Sequence, residues 1–230
     1  MALTDDPLII GHRGAAGLAP ENTLSSFAAA YAAGVGAVEL DLYLVEGELI
    51  VFHDDRLERC TNGKGKVQQQ SLDYLRSLDA GDQQQIPLLS EVLAELPAGV
   101  GINLELKGRG TGVAVAGLLD QQPKLDVLVS SFRHRELDDL RGLHAQVRLA
   151  PLFHRWPPAP WKAAKRLGAW SVNLASHITT EKRVAKIHQA GYRCCVYTVN
   201  DPKRAAELLG FGVDGIFTDR PDLMRGLTRA

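Results

Sequence analysis

The stretch Ala37-Val38-Glu39-Leu40-Asp41-Leu42-Tyr43-Leu44-Val45-Glu46-Gly47-Glu48-Leu49-Ile50-Val51-Phe52-His53 decides the architecture. Its opening alternates apolar and acidic residues with the two-residue period of a β-strand. Glu39 and Asp41 therefore leave one face while Val38, Leu40 and Leu42 leave the other. The alternation runs on through Val45, turns at Glu46-Gly47 and returns over 48–52, the pattern of a β-hairpin. The return brings His53 back to the level of Asp41 rather than a helix away from it.

Outward from this point the chain keeps one rhythm. Strand-like segments occur at 8–11, 37–41, 101–106, 126–131, 147–152, 170–174, 193–199 and 214–218, most of them followed by a helical pattern. Residues 23–33 place Leu24, Phe27, Ala28 and Tyr31 at helical spacing, with Asn22 available as a cap and Gly34 as a stop. Residues 89–96, 181–190 and 203–209 read the same way, the last two ending at Gly191 and Gly210. Strands alternating with helices imply a parallel sheet with right-handed crossovers. Eight such units in 230 residues, slightly short of the ~250 typical of the fold, predict a (β/α)₈ TIM barrel with a small insertion after the second strand. An open doubly wound sheet is the alternative, disfavoured because no glycine-rich dinucleotide fingerprint follows the first strand. Residues 54–86, polar and glutamine-rich with a turn at Asn62-Gly63, read as a small cap inserted over the mouth of one barrel domain spanning 1–230.

Composition narrows the function. The 26 basic and 27 acidic residues give a net charge of −1, so bulk electrostatics do not point to nucleic acid. No run reaches the ~18 apolar residues of a membrane span. The start carries no basic region of a secretory signal, and three cysteines, two of them adjacent (Cys194, Cys195), form no disulfide or zinc framework. A reducing, cytoplasmic setting is the expectation. Oligomeric state has no signature here.

On the third strand Asn103, Glu105 and Lys107 share a face, opposite Ile102, Leu104 and Leu106. With the apolar sets turned toward the helices, Glu39, Asp41 and Glu105 face the barrel axis near its C-terminal rim, where barrel enzymes keep their chemistry. Converging carboxylates repel, and a divalent cation relieves them; oxygen ligands suit Mg²⁺ or Ca²⁺. Salt bridges to Arg13 and Lys107 are the alternative, but the carboxylates outnumber the bases. His12-Arg13-Gly14 leaves the first strand at this rim and His53-Asp54 reaches it from the hairpin. Two imidazoles suit proton transfer to and from a phosphate ester whose charge the metal, Arg13 and Lys107 would offset. The other histidines, His134, His144, His154, His177 and His188, read as structural or solvated.

Gly11-His12-Arg13-Gly14, Pro20-Glu21-Asn22-Thr23, Glu39-x-Asp41, His53-Asp54, Asn103-x-Glu105-x-Lys107, Ser130-Ser131-Phe132 and Asp214-Gly215-Ile216-x-Thr218-Asp219-x-Pro221 occur in order. Together, and over essentially the whole chain, they resemble the glycerophosphodiester phosphodiesterase family. The resemblance implies a barrel with a small insertion and metal-dependent hydrolysis of glycerophosphodiesters, small soluble substrates, to an alcohol and sn-glycerol 3-phosphate. It makes His12 and His53 the acid/base pair, Glu39, Asp41 and Glu105 the ligands of Mg²⁺, Ca²⁺ or Mn²⁺, and Arg13 and Lys107 the grip on phosphate. Tyr197, where the family usually shows tryptophan, offers a flat face to glycerol. A lysophospholipase D-like activity is one alternative, disfavoured by the polar insertion; an inactive phosphate-binding barrel is another, disfavoured because every motif carboxylate and histidine is present. Two weaker readings concern the mouth. Trp156 and Trp161, in a proline-stiffened loop, are candidates for a choline cage or for plain packing, and the small residues of 14–17 for an anion cradle or a tight turn.

Overall fold

In a computed structural model, which describes residue 3 and residues 7–227, β1 (Leu8–Gly11) leads through a loop to α1 (Leu24–Ala33) and then β2 (Ala37–Val45). β2 turns at Glu46-Gly47 into the antiparallel β3 (Glu48–Val51). The inserted segment carries the short α2 (Leu72–Arg76) and is followed by α3 (Leu89–Glu95) and β4 (Gly101–Leu106). The chain then alternates through α4 (Thr111–Gln121), β5 (Val127–Ser131), α5 (His134–Leu143), β6 (Arg148–Phe153), α6 (Pro160–Leu167), β7 (Ser171–Ala175), α7 (Glu181–Gln189), β8 (Arg193–Tyr197), α8 (Pro202–Gly210) and β9 (Gly215–Thr218). The strand order β1-β9-β8-β7-β6-β5-β4-β2 closes through β1–β2 pairing, so eight parallel strands form the expected barrel and β3 stands outside it. The strand read at 37–41 and the first arm of the hairpin are one continuous strand, since nothing in the alternation interrupts it.

Residues that point outward from the strands, such as Val38, Leu40, Ile102, Leu104 and Val129, are fully buried against Phe27 of α1, Val92 of α3, Val115 of α4 and Leu137 of α5. Each such side chain contributes roughly 1.5–3 kcal/mol on burial. The lower barrel interior is plugged by Leu8, Ile10, Leu128, Ala150, Cys195 and Phe217. Ser171 and Asn173 of β7 share that level, their side chains hydrogen-bonded to one another, while the acidic side chains of β2 and β4 stand above it.

Local chemistry sets the first crossover. Thr23, not Asn22, caps α1, its hydroxyl accepting from the Ser26 N–H at 3.3 Å, and Gly34 ends the helix at φ 80°. Asn22 is diverted to Asp41. The inserted segment is richer in core than its composition suggests. Leu57, Val67, Leu75 and Ile86 are fully buried, packing with Tyr43, Ile50 and Phe52 of the hairpin.

Candidate active site

β2 and β4 pair in parallel with Glu39 opposite Asn103 and Asp41 opposite Glu105. This register turns the alternate residues of both strands into the barrel together. One carboxylate oxygen from each of Glu39, Asp41 and Glu105 lies within 4.8 Å of the others. Glu39 and Asp41 are 2% and 1% exposed.

Their partners are unequal. Asp41 Oδ2 accepts from Asn22 Nδ2 at 2.9 Å, and Arg13 Nε stands 3.5 Å from the same oxygen. Lys107 Nζ lies 2.7 Å from Glu105 Oε1 and 3.5 Å from Asp41 Oδ1. Glu39 Oε2 receives only the Arg13 backbone N–H, at 2.9 Å, from a residue held in the left-handed region at φ 52°. Burial, reinforced by Asp41 and Glu105, pushes Glu39 well above the usual carboxylate range. Glu105 is raised by burial and by Asp41. Burial also works against Asp41, but Lys107 and Arg13 outweigh it and hold this carboxyl low. Glu39 Oε1 and Asp41 Oδ1 are buried without a hydrogen-bond partner. A buried polar atom left so costs about 1–3 kcal/mol, more when charged. Two orphaned anionic oxygens in an all-oxygen set fit a hard divalent cation.

The two imidazoles flank this trio, each tied at Nδ1 to its own carboxylate. His12, whose N–H extends the β1–β9 ladder by donating to Thr218 O at 2.8 Å, places Nδ1 2.6 Å from Asp219 Oδ1. Asn200 Nδ2 holds the other Asp219 oxygen at 2.6 Å. His12 Nε2 is then 3.9 Å from Glu39 Oε2. His53 follows Phe52, whose N–H donates to Asp41 O at 2.9 Å, and its Nδ1 meets Asp54 Oδ1 at 2.5 Å. An ionised carboxylate only accepts, so Nδ1 carries the proton in each ring and Nε2 faces the site as an acceptor. Burial, above all, lowers the His53 pKa. Behind it, Arg59 bridges Asp54 and Glu21, and Glu21 in turn holds Arg13 Nη1 at 2.8 Å.

All eight residues expected at the site, His12, His53, Arg13, Lys107, Tyr197, Glu39, Asp41 and Glu105, gather at the C-terminal rim. His12, Arg13, His53, Glu105 and Tyr197 line a cavity of about 760 Å³, and Phe132 meets the Tyr197 ring edge-on at 5.8 Å. The cavity extends over the ends of β6 and β7, where His154 and His177 face one another with ring centroids 4.8 Å apart. Reading these two as structural or solvated overlooked their place directly after strands, the signal that could have found them. The other three do serve structure: His134 packs on Phe153 at 5.1 Å, His188 pairs with Asp214 at 2.8 Å, and His144 lies 4.0 Å from Asp120. Sequence reasoning also assigned no task to Asp219, Asp54 or the Glu21–Arg59 pair, and it offered Asn22 only as a helix cap.

Contacts within the chain bear on both weaker readings. The Trp156 ring lies under the Arg183 guanidinium at 5.0 Å and is not among the residues lining the cavity. In the small-residue loop the amides are already engaged: Gly14 N–H with Glu39 O, Ala15 N–H with Ser26, and Gly17 N–H with Asp219 O.

Relatives carry the same architecture. The chain is 35% identical to the Bacillus subtilis (strain 168) protein YhdW over 94% of its own length and 96% of the relative's. It is 34% identical to a glycerophosphodiester phosphodiesterase of Bacillus altitudinis, covering 93% and 95% of the two chains. Among solved structures, an Oleispira antarctica phosphodiesterase in complex with the product sn-glycerol-3-phosphate superposes with a TM-score of 0.91 at 32% identity, with 97% of each chain covered. The model of the glycerophosphoryl diester phosphodiesterase family matches residues 12–223, from the first site histidine to beyond the last strand, and the chain therefore belongs to that family, as a phosphoric diester hydrolase.

Proposed function

We propose that the protein hydrolyses glycerophosphodiesters to sn-glycerol 3-phosphate and the free alcohol, with His12 and His53 exchanging protons beside a divalent cation held by Glu39, Asp41 and Glu105. The observation that carries this reading is the pair of imidazoles, each anchored at Nδ1 by a carboxylate, on either side of a trio with orphaned buried oxygens. The bound cation would supply positive charge against the phosphoryl oxygens. Arg13, steered by Glu21, and Lys107, beside Glu105, add fixed positive charge for the phosphate as negative charge develops on it. His53, which burial keeps neutral, accepts the proton of the attacking hydroxyl at Nε2. His12, held at Nδ1 by Asp219 and with Nε2 3.9 Å from Glu39 Oε2, stands on the other side of the trio, where it would exchange a proton with the leaving oxygen. Tyr197 and Phe132 form the apolar wall for the glycerol carbons.

Release of glycerol 3-phosphate from soluble glycerophosphodiesters tests the proposal, before and after exhaustive chelation and on return of Mg²⁺, Ca²⁺ or Mn²⁺. Chelation should abolish turnover, and His12→Ala or His53→Ala should lower it by ~10²–10⁴ with the fold intact. Unchanged rates without metal, or wild-type turnover in either variant, would overturn the assignment.

A further inference from the structure

Opposite the carboxylates, the cavity is walled by His154, Ser176, His177 and Arg204. Among the described residues that line it, the one carboxylate is Glu105, on the acidic side. The Arg204 guanidinium is clamped in place, donating to Ser176 O and Thr179 O at 2.9 Å each and pairing with Glu207. His154 and His177 are exposed, their rings tilted against one another with centroids 4.8 Å apart, and neither pairs with an acidic side chain among the described residues. The wall thus offers donors and positive charge to whatever lies beyond the phosphate.

The same surroundings offer little to a cationic head group. A quaternary ammonium is recognised by open aromatic faces or by carboxylates. Here the Phe132 ring already has Lys107 Nζ 5.9 Å from its centroid, and the Trp156 ring lies under Arg183 and is not part of the cavity lining. We propose that His154 and His177, backed by Arg204, form the head-group subsite and select glycerophosphodiesters whose alcohol carries its own negative charge, a carboxylate or a second phosphate. This rests on the hydrolase reading above and adds the substrate class to it. An anionic alcohol would accept hydrogen bonds from the two imidazoles, and charge-assisted bonds of that kind are roughly twice as strong as neutral ones.

The test compares kcat/KM of the metal-loaded enzyme on glycerophosphoinositol 4-phosphate, glycerophosphoglycerol and glycerophosphocholine, for the wild type and for a His154→Ala, His177→Ala double variant. Both side chains are exposed, so the variant should fold normally. The wild type should favour the phosphorylated head group over choline by about tenfold or more. The double variant should lose that preference through a higher KM on the anionic substrate, with kcat within about twofold and glycerophosphocholine unaffected. Equal or better turnover of glycerophosphocholine by the wild type, or a preference that survives the double substitution, overturns the subsite alone. Release of glycerol 3-phosphate from none of the three, with any divalent cation, overturns the hydrolase reading and the subsite with it.

Discussion

Glu21 ties Arg59 of the inserted segment to Arg13, and replacing it with glutamine should loosen both. Its carboxylate accepts from Arg59 Nη1 at 2.8 Å, from Arg59 Nη2 at 2.7 Å and from Arg13 Nη1 at 2.8 Å. Burial alone would raise its pKa, but the Arg59 and Arg13 contacts overcome this and hold the group at about 2, against 4.5 in the free side chain. Each pKa unit corresponds to ~1.4 kcal/mol, so the gap sets an upper bound of about 3.4 kcal/mol on what ionisation contributes. Arg59 is 48% exposed, and solvent screening reduces the figure to about 1–2 kcal/mol. For a chain of this size Glu21→Gln should then lower Tm by about 2–8 °C at pH 7. A depressed folded-state pKa gives stability that is complete above about 4.5 and disappears as pH falls toward about 2. Urea denaturation followed by tryptophan fluorescence should therefore show the wild-type advantage shrinking to roughly under half by pH 3. An advantage equal at pH 7 and pH 3, or none at pH 7, would refute the reasoning.

The metal trio predicts two opposite responses to one substitution. Because Asp41, Glu105 and burial resist ionisation of Glu39, Glu39→Gln should leave the metal-free protein at least as stable as wild type. The wild type at a hundredfold excess of cation over Kd should gain ~2.7 kcal/mol, about 5–11 °C in Tm, and the variant should gain little; thermal melts with and without chelator would detect a retained shift and so remove Glu39 from the ligand set. Asp219→Asn should reduce kcat about a hundredfold with KM little changed, since it alters the charge behind His12 and not the phosphate grip; steady-state kinetics showing a loss confined to KM would argue for a different task.

The parts of the site legible in advance are those governed by short periods. Glu39-x-Asp41 and Asn103-x-Glu105-x-Lys107 declare their common face through the two-residue repeat, and the length of the hairpin returns His53 to the level of Asp41. Contacts made only by closure of the barrel carry no such signal. Asp219 lies 207 residues from His12 and becomes its neighbour because β9 pairs with β1. Glu136 of α5 is hidden for a different reason: its buried carboxylate accepts the Gly110 and Gly112 N–H groups at the start of the neighbouring α4, a contact between helices that no periodicity announces. Asn22 looked like a cap because its type favours that position, but its φ of 60° turns it away from the helix and toward Asp41. In the inserted segment, Leu57, Val67, Leu75 and Ile86 are separated by glutamines and glycines, so their shared cluster forms only when the chain folds onto the hairpin.

The in-register pairing of β2 with β4 has a practical consequence for anyone producing the protein. Acidic and core-forming side chains take turns along the same two backbones, so a slip of β2 by a single residue would send Glu39 and Asp41 into the greasy shell beneath the helices and bring Leu40 and Leu42 to the barrel mouth. Specific activity measured against total protein would then count properly assembled molecules, making turnover itself a gauge of refolding yield.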